Sequence, residues 1–127
     1  MIPLAALFLV AAAPALHGVC VGQAWVDVGP GEQVANMVET GFEAAIVSRR
    51  YERWSIVALP AGFAPRTPLR AGRRLPGATL HALGNRTWLA RTAHGDYLLA
   101  GTGEGPGAAR VHFDEPGRAA CRGWHGL

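Results

Sequence analysis

The pattern of hydrophobic and polar positions predicts a chain built mainly from short β-strands. Three alternating segments in the C-terminal half are separated by short stretches that contain glycine. Glycine and asparagine adopt the backbone conformations that tight hairpin turns need, so this spacing predicts an antiparallel meander. Its strands are expected at Thr79–Leu83, Arg86–Thr92 and Asp96–Gly101, joined by Gly84-Asn85 and by Ala93-His94-Gly95.

Outside the meander, the pattern predicts further strands and one short helix. A first strand is expected at Gln23–Val28 and a last strand at Ala109–Phe113. Apolar residues recur at helical spacing over Glu32–Thr40, which predicts a helix there. A hairpin is predicted from two apolar runs that flank a polar turn, with a continuous helix as the competing interpretation. These runs are Ala44–Ser48 and Trp54–Leu59.

Two stretches are predicted to be irregular. Residues 60–76 contain four prolines, which cannot donate to a strand ladder, so an exposed loop is expected. Asp114 and Glu115 precede Pro116-Gly117, and this combination predicts a turn. The expected fold is therefore mainly β: a small single-domain antiparallel sheet or barrel with at most one short helix.

The N-terminal residues are predicted to form an export signal. Residues 4–16 carry no charge, are rich in leucine and alanine, and are too few to span a bilayer. Ala13 and Ala15 supply the small residues for cleavage after Ala15, which assigns 1–18 to a signal peptide and 19–127 to one β-rich domain. Because no lysine or arginine precedes the apolar run, a buried N-terminal segment of a cytosolic domain is the alternative.

The only two cysteines, Cys20 and Cys121, lie near opposite ends of the predicted domain. Small secreted domains are commonly closed by disulfides, so a Cys20–Cys121 bond is predicted, with two unrelated buried thiols as the alternative. All twelve basic residues are arginine, which is typical of a GC-rich, bacterial genome. The expected location is therefore the periplasm or the exterior of a bacterial cell.

Composition bounds the function without identifying it. At 127 residues the chain forms one domain at most, and a net charge of +3 permits contact with anionic polymers. No nucleic-acid motif is present in the sequence, so nucleic acid is not an expected partner. Neither Ser48 nor Ser55 lies in a nucleophile elbow. We expect a non-enzymatic binding or structural module for a protein or a cell-envelope polymer, with a small envelope hydrolase as an alternative.

Histidine and aspartate provide one further alternative, a periplasmic site for Zn, Cu or Ni. Two H-x-D spacings occur in the sequence, and side chains two apart in a strand share a face. The competing interpretation is that these residues are solvent-exposed, with His94 in a turn and His112 opposite Val111 and Phe113. The candidate ligands are His81, His94, Asp96 and His112, and no other cofactor is expected.

Overall fold

The computed structural model of the protein describes residues 13–35, 43–47, 53–101 and 110–124. These residues are mainly β, as predicted, and form two antiparallel sheets and one short helix. The elements are β1 (Gly18–Val21), β2 (Ala24–Asp27), β3 (Gln33–Ala35), β4 (Glu43–Val47), β5 (Arg53–Ala58), β6 (Arg73–Leu75), β7 (Ala78–Gly84), β8 (Thr87–Thr92), β9 (Gly95–Gly101), β10 (Val111–His112) and α1 (Glu115–Arg122).

The smaller sheet has the strand order β1-β2-β10 and begins with a hairpin that the sequence pattern did not predict. Val21 pairs with Ala24, which leaves Gly22 and Gln23 as a two-residue loop. Gly22 has a φ of +59°, the conformation that a type II′ turn requires at its first position. The predicted strand at Gln23–Val28 is therefore the second half of this hairpin, shortened at both ends.

The larger sheet has the order β3-β4-β5-β9-β8-β7-β6 and contains the predicted hairpin and meander. β4 pairs with β5, and β7, β8 and β9 follow one another as antiparallel neighbours. The turn between β7 and β8 is Asn85-Arg86 rather than Gly84-Asn85, because Gly84 already pairs with Thr87. Asn85 and Arg86 both have positive φ, at 51° and 56°.

Two further predictions need correction at the sheet edges. Val34 pairs with Ile46, so the predicted helix at Glu32–Thr40 begins instead as strand β3, and residues 36–42 lie outside the described part of the chain. The ladder to β4 overrides the helical spacing of the apolar residues. The predicted loop at 60–76 contains the short edge strand β6, which pairs with β7.

The predicted turn at Asp114 is in fact the start of helix α1. The Asp114 carboxylate accepts the Gly117 N–H at 3.3 Å and caps the first turn of the helix. Pro116 occupies the first turn, where no backbone donor is needed, and Arg122 lies in the last turn. A Cβ on Gly117 would lie 2.1 Å from the His112 carbonyl oxygen, so glycine lets the helix lie directly against β10.

The core lies where the two sheets face each other. It consists of apolar side chains from both sheets, and each fully buried one contributes about 1.5–3 kcal/mol to stability. Its largest fully buried side chains are Val19, Val21 and Val26 of the smaller sheet and Ile56 and Leu99 of the larger sheet. The Cys20–Cys121 disulfide, predicted from the sequence, joins β1 to α1 with the two Cα atoms 5.2 Å apart.

Among the described residues, no helix has the length and apolar character needed to cross a membrane.

His112 is buried rather than exposed, so the expectation that it faces solvent is wrong. It is 6% exposed, and its Nε2 lies 2.8 Å from Oδ2 of Asp27. Asp27 also accepts the Ala15 N–H at 2.9 Å, while the Ala15 carbonyl accepts the Trp25 indole N–H at 3.2 Å. The residues just before β1 therefore lie against β2.

Candidate functional site

The four predicted metal ligands do not assemble into one site. His112 pairs with Asp27, and His81 Nδ1 lies 2.7 Å from the Arg70 carbonyl oxygen. No group of three or more His, Cys, Asp or Glu side chains suited to a metal occurs in the described residues. Only His94 and Asp96 line a common cavity.

That cavity, here called the Tyr97 cleft, lies beside the β1–β2 turn and has a volume of about 350 Å³. This is at the lower end of the range for small-ligand sites. Its walls are three segments: the turn Gly22–Gln23, the stretch Ala58–Phe63 that leaves β5, and His94–Tyr97 at the start of β9. The polar side chains among these lining residues are Gln23, His94, Asp96 and Tyr97, which can donate or accept hydrogen bonds.

Tyr97 is the best-fixed side chain of the cleft. It is 3% exposed, its ring lies 5.3 Å from that of Phe113, and its hydroxyl oxygen accepts the Gln23 N–H at 2.8 Å. Burial raises the pKa of Tyr97, although hydrogen bonds from the Gln23 and Ala24 N–H groups oppose this effect. Within the described residues, the hydroxyl proton of Tyr97 has no acceptor.

The rest of the cleft combines an apolar wall with a polar rim. A turn closed by the Phe63 N–H and the Pro60 carbonyl, 3.1 Å apart, leaves Phe63 36% exposed. His94 is exposed in the β8–β9 turn, where its N–H donates to Thr92 Oγ1 at 3.0 Å. Asp96 is held by Arg91 at 3.1 Å, with the Asp96 side chain 13% exposed.

A second surface comes from an uneven distribution of charge. Residues 53–95 contain seven of the twelve arginines and none of the nine acidic residues, so this segment alone carries +7. The other residues hold five arginines and nine acids, and together carry −4. This signal is visible in the sequence, but net charge alone conceals it.

Five of the seven arginines of the basic segment lie on the edge strand β6, in the loop before it, or on β8, two strands further into the larger sheet. We call this set the basic edge; it comprises Arg66, Arg70, Arg73, Arg74 and Arg91. Arg73 and Arg74 lie on the edge strand β6, and Arg74 pairs with Thr79, which pairs with Arg91. These two arginines therefore share a sheet face, two strands or about 10 Å apart.

Most of this charge is uncompensated. Among the described residues, no carboxylate lies within salt-bridge distance of Arg66, Arg70, Arg73 or Arg74, and only Arg91 is paired, with Asp96. Three acids outside the basic segment are already engaged. Glu32 pairs with Arg110, Asp27 with His112, and Glu115 with Arg118 and Arg122.

Comparison of the chain with protein-family models, curated proteins and solved structures finds no match.

Proposed function

We propose that the protein is an exported, non-enzymatic binding module that recognises an acidic polysaccharide of the cell envelope through its basic edge. The observation that carries the proposal is the absence of acidic residues from 53–95, combined with the exposure of Arg70, Arg73 and Arg74 at one sheet edge. A guanidinium group forms two parallel hydrogen bonds to a carboxylate, which suits a polymer of acidic sugars.

The surroundings of the basic edge favour a polysaccharide over other polyanions. Single-stranded nucleic acids are bound largely by stacking of bases on aromatic side chains, and residues 64–75, which carry four of these arginines, contain no aromatic residue. Membrane binding needs apolar side chains beside the positive charge. The exposed large hydrophobic residues of the described chain are Leu16, Phe63 and Leu83, and none lies within residues 64–75, which carry four of the five arginines.

Export is part of the proposal and is supported by two features. The Cys20–Cys121 disulfide is compatible with an oxidising, extracytoplasmic compartment. The uncharged run at 4–16 has the length and composition of a signal-peptide core, for which cleavage after Ala15 is proposed.

The test compares polymers and variants by titration calorimetry at several salt concentrations. We expect polygalacturonate, an acidic polysaccharide, to bind and neutral dextran not to bind. The double variant Arg73→Gln/Arg74→Gln should bind polygalacturonate at least 10-fold more weakly and depend less on salt. The matched control is Arg86→Gln, because Arg86 is also exposed but lies at the other end of β7, about 20 Å from Arg74.

Four results would overturn the proposal. One is no binding of polygalacturonate at low salt. Another is equal loss of affinity in the double variant and in the Arg86→Gln control. The third is equal or tighter binding of single-stranded DNA or anionic vesicles. If the arginines only keep the edge strand from pairing with other chains, the double variant will aggregate without a change in polymer affinity, which also contradicts the proposal.

A further inference from the structure

We infer that the Tyr97 cleft binds one uncharged sugar ring, with the Tyr97 hydroxyl donating a hydrogen bond to an oxygen of that ring. This goes beyond the proposed function, because a neutral ring does not need the basic edge. A polymer that contains both acidic and neutral units would engage both surfaces.

The inference begins with the unused proton of Tyr97. The hydroxyl oxygen accepts the Gln23 N–H, while its own proton has no acceptor within the described residues. Gly22 and Gln23 line the cleft, and a Cβ on Gly22 would lie 2.8 Å from this hydroxyl oxygen, which places the hydroxyl at the cleft wall. A hydroxyl that accepts an N–H becomes a stronger donor itself, so an acceptor oxygen is the chemistry that completes this wall.

The apolar wall of the cleft sets a second requirement, which is an apolar face on the ligand. Leu59, Pro60 and the exposed ring of Phe63 line the cleft and present surface that gains from being covered. A ligand that satisfies both walls needs an apolar face and oxygens along its edge. A pyranose ring has this shape, with C–H groups on its faces and hydroxyls at its rim.

Charge in the cleft favours a neutral ligand. Asp96 lines the wall and its charge is balanced by Arg91, so the pair supplies no net positive charge to hold a ligand carboxylate. His94 is exposed at the rim, where an imidazole can either donate to or accept from a sugar hydroxyl.

The sheet order argues against a peptide as the occupant. The sheet strands that contribute lining residues are β5, through Ala58, and β9, through Gly95–Tyr97. Both are interior strands of the larger sheet, so neither offers an open ladder for strand addition. The chain leaving β5 is also engaged, because the Leu59 N–H donates to the Asp96 carbonyl at 2.9 Å.

The test uses cellobiose, maltose and chitobiose as neutral probes, with ligand-observed NMR and titration calorimetry on the intact protein. Phe63→Ala removes an exposed ring and should weaken binding at least 10-fold without unfolding the chain. Tyr97→Phe should weaken it similarly by removing the hydroxyl that donates to the sugar, although it also removes the acceptor of the Gln23 N–H. The matched control is Leu83→Ala, because Leu83 is 47% exposed, apolar and absent from the cleft lining.

The variants separate the Tyr97 cleft from the basic edge. Loss of binding in both cleft variants, with Leu83→Ala unchanged, supports the inference, and Arg73→Gln/Arg74→Gln should bind the neutral probes as the natural protein does. No binding of any probe at millimolar concentration overturns it, as does unchanged affinity in Phe63→Ala. If Tyr97→Phe fails to fold, because the Gln23 N–H loses its acceptor, the Phe63→Ala result alone decides.

Discussion

The Cys20–Cys121 disulfide should supply a large share of the free energy of unfolding. It encloses almost the whole folded chain, with a sequence separation of 101 residues between the two cysteines. Chain-entropy arguments give about 4.7 kcal/mol for closing a loop of roughly 100 residues. Domains of this size are stable by only about 5–15 kcal/mol, so removing the bond should leave a marginally stable protein.

The position of the bond suggests which part of the structure will loosen first. Cys20 lies on β1 and is buried, whereas Cys121 lies in α1, the last described element of the chain. Without the disulfide, the contacts that hold this end of the chain to the smaller sheet and the core include the close approach of Gly117 to His112 and the packing of Trp124, which follows α1. We therefore expect backbone amides of α1 to lose protection from hydrogen exchange before those of β9.

Urea unfolding of the double variant Cys20→Ala/Cys121→Ala provides the assay. We expect its free energy of unfolding to be about 3–5 kcal/mol lower than that of the oxidised protein. The matched control is the natural protein treated with a reductant, which breaks the bond but keeps both cysteine side chains. Its free energy of unfolding should fall by a similar amount, because the bond is absent in both samples. A loss below about 1 kcal/mol in both samples would refute the reasoning, since the bond would then not restrict the unfolded chain.

Three further predictions concern single side chains and use the same unfolding assay. Burial raises the pKa of Tyr97, so as the pH rises its hydroxyl ionises in the unfolded chain before it ionises in the folded protein, and the free energy of unfolding should fall above about pH 10. Tyr97→Phe should remove this fall, whereas the control Tyr51→Phe should retain it. Asp114→Ala should cost about 1 kcal/mol by removing the cap of α1, with Asp114→Asn as the control that keeps a capping oxygen. Arg86→Gly should raise stability by about 1 kcal/mol, because Arg86 has a φ of +56°, and an unchanged or lower value would contradict this account.

The parts of the fold that could be predicted from sequence depend on short-range signals. Alternating side chains and turn residues lie within a few positions of one another, and they identified β7, β8 and β9 together with the β4–β5 hairpin. Gly22-Gln23 and the Asp114–Pro116 capping pattern are equally local. Both signals are concealed, because the apolar alternation favours Gln23 as the start of a strand and the Asp-Glu-Pro-Gly run favours a turn at Asp114.

The arrangement that creates the Tyr97 cleft depends on long-range packing and could not be inferred from spacing. The hydrogen bond from Gln23 to Tyr97 spans 74 residues, and no local pattern brings Phe63 beside them. The H-x-D spacing identified His94 and Asp96 as neighbours, but it implied a partnership with His112 that burial prevents. His112 is enclosed by the packing of β10 against β2, where its imidazole contacts Asp27.

The two proposed surfaces meet at the ion pair between Arg91 and Asp96. The Arg91 side chain is 41% exposed and belongs to the basic edge, whereas Asp96 lines the Tyr97 cleft. A partly exposed pair of this kind contributes little to stability, so a ligand that takes the place of one partner would cost the fold little. The segregation of charge acts over longer distances, because a segment carrying +7 and a remainder carrying −4 give the protein a directional field. That field would turn the basic edge towards an anionic polymer before contact, and the neighbouring cleft would then be placed to select among its sugar units.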